Sequence, residues 1–137
     1  MSEENDKKRE NESLLSELIK LAKADNDVSD IELNFLLSIA SQLGVTKNDF
    51  KILFEQYIKF MPPKLEVDRI VQFHRLVLLM NVDLEISHLE VKYIREAGIR
   101  MGLNPMATDK VLNEMNKYPN KVIPPERLFE IFQLFHN

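Results

Sequence analysis

Apolar residues recur along most of this chain at the spacing of an α-helix. After Ser13 the pattern begins with residues that share one helical face, namely Leu14, Leu18, Leu21 and Ala22. No segment keeps the two-residue alternation of a half-buried strand, and the whole sequence contains only three glycines. The pattern therefore predicts an all-α protein.

Glycine, proline and capping residues divide this pattern into about seven predicted helices. Gly44 and Gly102 should end the second and fifth helices, because glycine readily adopts the left-handed conformation just past a helix end. Thr46 can cap the third helix, and Asn104 followed by Pro105 is typical of the start of the sixth. The first helix should end near residue 24, the fourth should begin at about residue 67, and the seventh should cover about 125–135.

The chain also contains an internal repeat. A shift of 58 residues aligns residues 18–44 with residues 76–102, with the identities Leu18/Leu76, Leu21/Leu79, Asp25/Asp83, Ser29/Ser87, Glu32/Glu90 and Gly44/Gly102. Gly98 aligns with Ala40, which predicts one close helix crossing in each half. We infer a duplicated helix–acidic turn–helix unit, with repeat units at about 14–61 and 67–116. The expected fold is a single-domain bundle with approximate two-fold symmetry.

Composition limits the classes of protein that fit. The 137 residues suit one domain, and the absence of cysteine excludes disulfides and Cys-ligated metal centres. The net charge is −4 and no basic stripe is visible, so we expect no nucleic-acid partner. Residues 1–12 are almost purely polar, which predicts a disordered tail. The longest aliphatic block, residues 76–80, is too short to span a bilayer, and we expect no membrane insertion. We therefore expect a cytoplasmic protein.

Two acidic turns interrupt the helical pattern at equivalent positions. The first acidic turn, residues 24–32, reads ADNDVSDIE, and the second, residues 82–90, reads VDLEISHLE. Each contains an S-x-x-E sequence before an apolar run, which is the signature of a helix-capping box. In this interpretation Ser29 and Ser87 cap the helices that follow, and Glu32 and Glu90 reach back to the serine amides. Asp25 and Asp83 are left only partly explained.

A second interpretation makes the acidic turns a divalent-cation site. Asp25, Asp27 and Ser29 resemble the start of a calcium loop, since hard cations prefer carboxylate oxygens. The rest of the EF-hand pattern fails, because Asp30 replaces the glycine and Leu36 replaces the last glutamate. An ion, Ca²⁺ or Mg²⁺, would need a different ligand set: Asp25, Asp27 and Glu32, shared with Asp83, Glu85 and Glu90. Both interpretations stay open at this point.

The first repeat also resembles a known family. The segment LIKLAKADNDVSDIELNFLLSIASQLGV is similar to the A-D-G-x-[IV]-S-x-x-E pattern of the TerB-like family, the tellurite resistance protein B group. The resemblance covers about residues 13–115 and implies a bundle of about seven helices and a role in stress response. It also implies a divalent-metal role for the six carboxylates named above. Asn26 and Leu84 stand where the family prefers glycine, so the second turn departs further from the pattern.

Signals of catalysis are absent from the sequence. There is no nucleophile motif, no phosphate-binding glycine loop and no H-E-x-x-H, which favours a protein that is not an enzyme. His74, on the apolar side of the fourth helix, is best interpreted as a hydrogen-bonded core residue. The last helix carries apolar residues on more than one face, so Phe129 and Leu134 are candidate contacts for a protein partner or a homodimer.

Three hypotheses follow from the sequence. The first is a non-enzymatic interaction or sensing module in a stress response, with the acidic turns as the functional surface. The second is a dimeric scaffold that uses the C-terminal helix, with the turns purely structural. The third is a metal-dependent enzyme with the carboxylates as ligands.

Overall fold

The structure of the chain, a computed structural model, describes residues 2–24, 27–56, 58–82 and 88–135. Within these residues it is all-helical, as predicted, and none of the described helices is long and apolar enough to cross a membrane. The helices are α1 (Ser2–Ala22), α2 (Asp30–Gln42), α3 (Lys47–Glu55), α4 (Glu66–Asn81), α5 (His88–Arg100), α6 (Pro105–Glu114) and α7 (Pro125–Leu134). Two single 3₁₀ turns, Met115–Lys117 and Pro119–Lys121, connect α6 to α7.

One hydrophobic core joins all seven helices. Every helix contributes buried side chains to a single cluster, which includes Leu18, Leu36, Leu53, Phe73, Ile94, Val111 and Ile131. A continuous core of this kind defines one domain. The predicted single-domain bundle is therefore confirmed.

The N-terminal segment differs from its prediction. The expected disordered tail over residues 1–12 is corrected, because α1 already begins at Ser2. The polar residues of this segment are mostly good helix formers, and two contacts hold it against the rest of the fold. Asn11 Nδ2 donates to the carbonyl of Leu43 at 3.1 Å, and Lys8 lies 3.8 Å from the carboxylate of Asp49. A polar segment can therefore be helical here, because its helix propensity and these two contacts act together.

The second half of α1 is the central element of the bundle. Seven consecutive residues, 13–19, are buried, although an isolated amphipathic helix would bury only one stripe. The reason is that α1 packs against four other helices, α2, α3, α4 and α5. Its polar residues are therefore inside the protein and must find partners there.

Polar residues on α1 hold the chain that links α3 to α4. The amide of Ile58 donates to Ser16 Oγ at 3.3 Å, and the amide of Met61 donates to Ser13 Oγ at 2.7 Å. Lys20 Nζ donates to the carbonyl of Ile58 at 3.3 Å. The linking segment, residues 58–63, is thereby fixed along the surface of α1.

The structure reproduces the 58-residue repeat in its helix boundaries. α2 and α5 begin and end at equivalent residues, and α3 and α6 are capped at equivalent positions by Thr46 and Asn104. The amide of Asp49 donates to Thr46 Oγ1 at 3.1 Å, and the amide of Met106 donates to Asn104 Oδ1 at 2.8 Å. The first helices of the two units, α1 and α4, pack against each other. These features support the inferred duplication.

The two units differ in how their third helices pack. α3 packs against α1, whereas α6 packs against α5 and α7. The α5–α6 approach is close: a Cβ added to Gly98 would lie 3.1 Å from Thr108 Cγ2. The close crossing predicted from Gly98 is therefore present in the second unit.

Gly44 and Gly102 end α2 and α5 as the sequence predicts. Their φ angles are 72° and 71°, in the left-handed region, and a Cβ at either position would meet no atom within 4 Å. The amide after each glycine closes the helix end on an equivalent carbonyl, Val45 to Ala40 at 2.9 Å and Leu103 to Gly98 at 3.0 Å. Glycine is therefore favoured at both positions by the backbone conformation and not by a lack of space for a side chain.

Replacing either of these helix-ending glycines with alanine should lower the free energy of unfolding by about 1 kcal/mol, the cost of a left-handed backbone conformation at a residue that carries a Cβ. Gly44→Ala and Gly102→Ala should have equal effects in urea denaturation, because their surroundings are equally open. Ser41→Ala, at a neighbouring exposed helical position, serves as the control and should change stability by less than about 0.5 kcal/mol. If Gly44→Ala and Gly102→Ala were as stable as this control, the left-handed conformation assigned to these two glycines would be contradicted.

Candidate functional site

The first acidic turn ends in the predicted capping box. Ser29 is the N-cap of α2, and its hydroxyl accepts a hydrogen bond from the amide of Glu32 at 3.1 Å. In return, the amide of Ser29 donates to Glu32 Oε1 at 3.0 Å. Asp27, which precedes this cap, is exposed. The structural role predicted for Ser29 and Glu32 is confirmed.

Glu32 and Glu90, the last residues of the two acidic turns, are buried. Glu32 is 5% exposed and Glu90, its equivalent at the start of α5, is 2% exposed. The sequence pattern of the turns gives no sign of this burial, which is a finding of the structure. Burying a carboxylate is costly unless its charge or its hydrogen bonds are compensated, and here the arrangement occurs twice.

Only half of the predicted metal ligands can be placed. Asp27, Glu32 and Glu90 are described, whereas Asp25, Asp83 and Glu85 lie outside the described residues. The capping serine predicted at position 87 lies outside them as well. Over the part of the chain that the structure describes, no group of three or more histidine or acidic side chains is arranged to hold a metal ion.

The start of the second acidic turn lies beside α2. Phe35, one turn beyond Glu32, lines a cleft of about 350 Å³ together with Leu78, Asn81 and Val82 from the end of α4. Val82 is the first residue of the second acidic turn. The end of α4 and the first half of α2, which carries Glu32, are therefore neighbours in the fold.

The two candidate partner-binding residues on α7 have different environments. Phe129 is partly buried and packs against the core, and it lines a shallow cleft of about 240 Å³ with Val67 and Ile70 of α4. Leu134 is 68% exposed. Of the two, Leu134 is thus the residue with free apolar surface.

His74 occupies the structural position expected for it. Its Nε2 lies 3.1 Å from the carbonyl of Ile123, which ties α4 to the segment before α7. Burial lowers the pKa of His74, and the hydrogen bond to Ile123 partly opposes this effect. The imidazole is therefore neutral at neutral pH and acts as a core hydrogen-bonding group.

A polar cleft that the sequence pattern does not reveal lies between α1, α5 and the linking segment. Glu17, 1% exposed, accepts a hydrogen bond from Arg100 Nη2 at 2.6 Å, and Tyr93 lies beside this pair. Glu17 and Arg100 are separated by 83 residues in sequence, and helical periodicity cannot pair them. The repeat gives only an indirect signal of this pair: at the 58-residue offset Glu17 aligns with Arg75, and Arg100 aligns with Gln42, so neither charge is kept in the other unit.

Comparisons with protein-family models, with curated proteins and with solved structures found no significant match to this chain. The class that the structure establishes is a single-domain all-α bundle with a repeated helical unit. The resemblance to the TerB-like family therefore stays a prediction from the sequence.

Proposed function

We propose that this protein is a non-enzymatic binding or sensing module whose functional surface is its pair of acidic turns. The turns bind a divalent cation, Ca²⁺ or Mg²⁺, or a basic protein partner. In keeping with the TerB-like resemblance, the module acts in the cytoplasm as part of a stress response.

The observation that supports this proposal is the burial of Glu32 and Glu90 at equivalent positions. Each is the last residue of an acid-rich turn, so acidic residues are concentrated at both equivalent places in the sequence. Ca²⁺ and Mg²⁺ prefer carboxylate oxygens as ligands, so acidic side chains repeated at equivalent positions favour a divalent cation. The capping box accounts for the position of Glu32 but gives no reason for the aspartates nearby.

The relation between α2 and α4 adds to this support. Because Phe35 and Val82 line one cleft, the helix that carries Glu32 lies next to the first residue of the second turn. Carboxylates from both turns could then contribute to one site, as the predicted ligand set requires. A shared site would also explain why the acidic turn is duplicated together with its helices.

Divalent ions should stabilise the protein if the turns bind them. An ion at about ten times its Kd adds about 1.4 kcal/mol to the free energy of unfolding, which for a domain of this size raises Tm by about 4 °C. The experiment is a thermal melt of metal-stripped protein with millimolar Ca²⁺, Mg²⁺, Mn²⁺ or Zn²⁺. The rise should disappear in Asp25→Asn/Asp83→Asn.

A matched control separates a site from general charge screening. Glu55→Gln/Glu96→Gln removes the same two negative charges at exposed positions outside the turns and should keep the full rise in Tm. If no ion shifts Tm, or if both double variants lose the shift equally, the cation proposal fails. The dimeric scaffold would then be the better hypothesis, because Leu134 presents free apolar surface on α7.

A further inference from the structure

The cleft between α2 and the end of α4 has the dimensions of a small-molecule site. Its volume is about 350 Å³, and small-molecule pockets typically measure about 300–1,000 Å³. The segment between α6 and α7 forms a further wall. We call this feature the Asn81 cleft, and its lining residues are Phe35, Leu78, Asn81, Val82, Asn120 and Val122.

The lining of the Asn81 cleft is uncharged and mostly apolar. None of its six side chains can ionise, and four of them are hydrocarbon. Such a lining favours a neutral ligand, because an ion would lose its hydration here without compensation. The ring of Phe35 further favours an aromatic ligand, since aromatic rings attract each other beyond the effect of buried area.

Asn81 supplies a buried hydrogen-bond acceptor at this cleft. The residue is 3% exposed, and its Oδ1 has no hydrogen-bond partner among the residues that the structure describes. Its Nδ2 donates to the carbonyl of Lys121 at 3.1 Å and to Met115 Sδ at 3.4 Å. Turning the amide over would set two oxygens against each other, so these contacts determine that Oδ1 is the atom left over. A buried acceptor without a donor is costly, and a ligand N–H would satisfy it.

The turn that holds the Asn81 amide has a strained backbone. Asn120 and Lys121 have φ angles of 56° and 60°, in the left-handed region that residues with a Cβ disfavour. Lys121 provides the carbonyl that holds Asn81, and its neighbours Asn120 and Val122 line the cleft. Strain of this kind concentrates at ligand sites, where the surrounding structure imposes it. Here it falls on the segment that positions the acceptor.

The polar cleft described above is the equivalent of the Asn81 cleft in the repeat. Each lies between the first helix of one unit and the second helix of the other, and at the 58-residue offset their linings correspond: Phe35 to Tyr93, and Leu78 to Lys20. In the polar cleft Glu17, Arg100 and Tyr93 form hydrogen bonds with one another. That cleft is satisfied internally, whereas the Asn81 cleft keeps an acceptor for which the described residues provide no donor.

We propose that the Asn81 cleft binds a small, neutral aromatic molecule that carries a ring N–H group. The N–H donates to Asn81 Oδ1, and the aromatic ring packs against Phe35 and Leu78. Val82 is half-buried, and a rotation of its side chain lets the donor reach the amide oxygen. The site uses none of the carboxylates of the acidic turns, so it goes beyond the proposed function and stands whether or not the turns bind an ion.

Indole is the probe that tests this proposal, titrated into the full chain in chelator-containing buffer and followed by NMR chemical shifts. Benzofuran, which has the same shape but a ring oxygen in place of the N–H, is the matched control ligand. We expect saturable binding of indole with shifts at the residues of the cleft, and about tenfold weaker binding of benzofuran. Because chelator removes metal, failure here is distinguishable from failure of the cation proposal.

Variants decide whether the cleft is responsible. Val122 is 43% exposed, so Val122→Phe adds bulk to the cleft at little cost to the fold and should weaken indole binding by about tenfold or more. Val67→Phe makes the same change at a 49% exposed position outside this cleft and should leave binding unchanged. Absence of saturable indole binding, or equal effects of the two variants, would overturn the proposal.

A purely structural role of Asn81 leads to a different result. If the contact with the Lys121 carbonyl were its whole role, indole and benzofuran should bind equally or not at all. The side-chain amide signals of Asn81 should then stay in place in both titrations. Tighter binding of indole, with movement of these signals, would show that Oδ1 serves a ligand.

Discussion

Replacing Phe73 with alanine should lower the free energy of unfolding by about 4 kcal/mol, the usual cost of truncating a fully buried phenylalanine. Phe73 lies on α4 with no exposed surface, and its ring packs edge-on against Phe132 of α7, with centroids 5.9 Å apart. It also lies close to Gly98, where α5 approaches α6. Truncation would open a cavity where three helices meet, and none can move in without losing contacts elsewhere.

Urea denaturation measures this effect, and two further variants define its origin. Leu134→Ala removes similar chemistry from an exposed position and should change stability by less than about 0.5 kcal/mol. A double-mutant cycle with Phe132→Ala should give a coupling of about 0.5–1.5 kcal/mol for the two rings. A loss below about 1.5 kcal/mol for Phe73→Ala would mean that the α4–α7 contact is looser than the structure indicates.

Glu114→Gln should have the second largest effect, about 2–3 kcal/mol, because it weakens charged hydrogen bonds in a buried place. The Glu114 side chain is 8% exposed, and its carboxylate accepts hydrogen bonds from Arg127 Nε at 2.6 Å and Arg127 Nη2 at 2.8 Å. Tyr118 donates to the same carboxylate at 3.3 Å. These contacts join the end of α6 to the start of α7.

The stabilisation by Glu114 should depend on pH. The hydrogen bonds from Arg127 lower the pKa of Glu114 from 4.5 to about 2, although burial acts in the opposite direction. Because the folded-state pKa is the lower one, the stabilisation is fully present above about pH 4.5 and is lost as the pH falls towards 2. The difference in stability between the unmodified protein and Glu114→Gln should therefore shrink over this range.

Urea midpoints collected at intervals from about pH 6 to pH 2 test this dependence. Asp109→Asn is the matched control, since Asp109 contacts Arg95 at 3.2 Å but both side chains are more than half exposed. Exposed pairs contribute little, so this variant should follow the unmodified protein at every pH. A difference between Glu114→Gln and the unmodified protein that stays constant with pH would contradict the assignment.

Local signals in the sequence predicted most of the fold. Ser29, Thr46 and Asn104 were identified as caps, and Gly44 and Gly102 as helix ends, because each acts on backbone groups within four residues of itself. Such interactions need no knowledge of the tertiary structure. The 58-residue repeat is also visible for this reason, since the duplicated caps and turns preserve the same local chemistry.

Features that depend on distant contacts were not predicted. The order of residues 2–12 depends partly on Asn11 meeting Leu43, and the burial of Glu17 depends on α1 being enclosed by other helices. The Glu17–Arg100 pair joins helices from the two units. Periodicity describes one helix at a time, and therefore cannot show which polar residues the assembled bundle will bring together.

The candidate sites divide in the same way. Glu32 was assigned to a capping box from its spacing to Ser29, and the structure confirms that role. Its burial, and that of Glu90, could not be predicted, because burial depends on neighbouring helices and not on the turn itself. Leu134 was correctly expected to have apolar surface, while Phe129 is partly covered by the core.

The enclosure of α1 has a consequence for cooperativity. In solenoid proteins each repeat contacts only its neighbours, and the ends can unfold while the rest stays folded. Here the first helix of one unit is surrounded by helices of both units, and residues 13–19 are buried on every side. Neither unit can open without exposing the centre of the other. Although the chain is built from a repeat, we therefore expect it to unfold in a single cooperative transition.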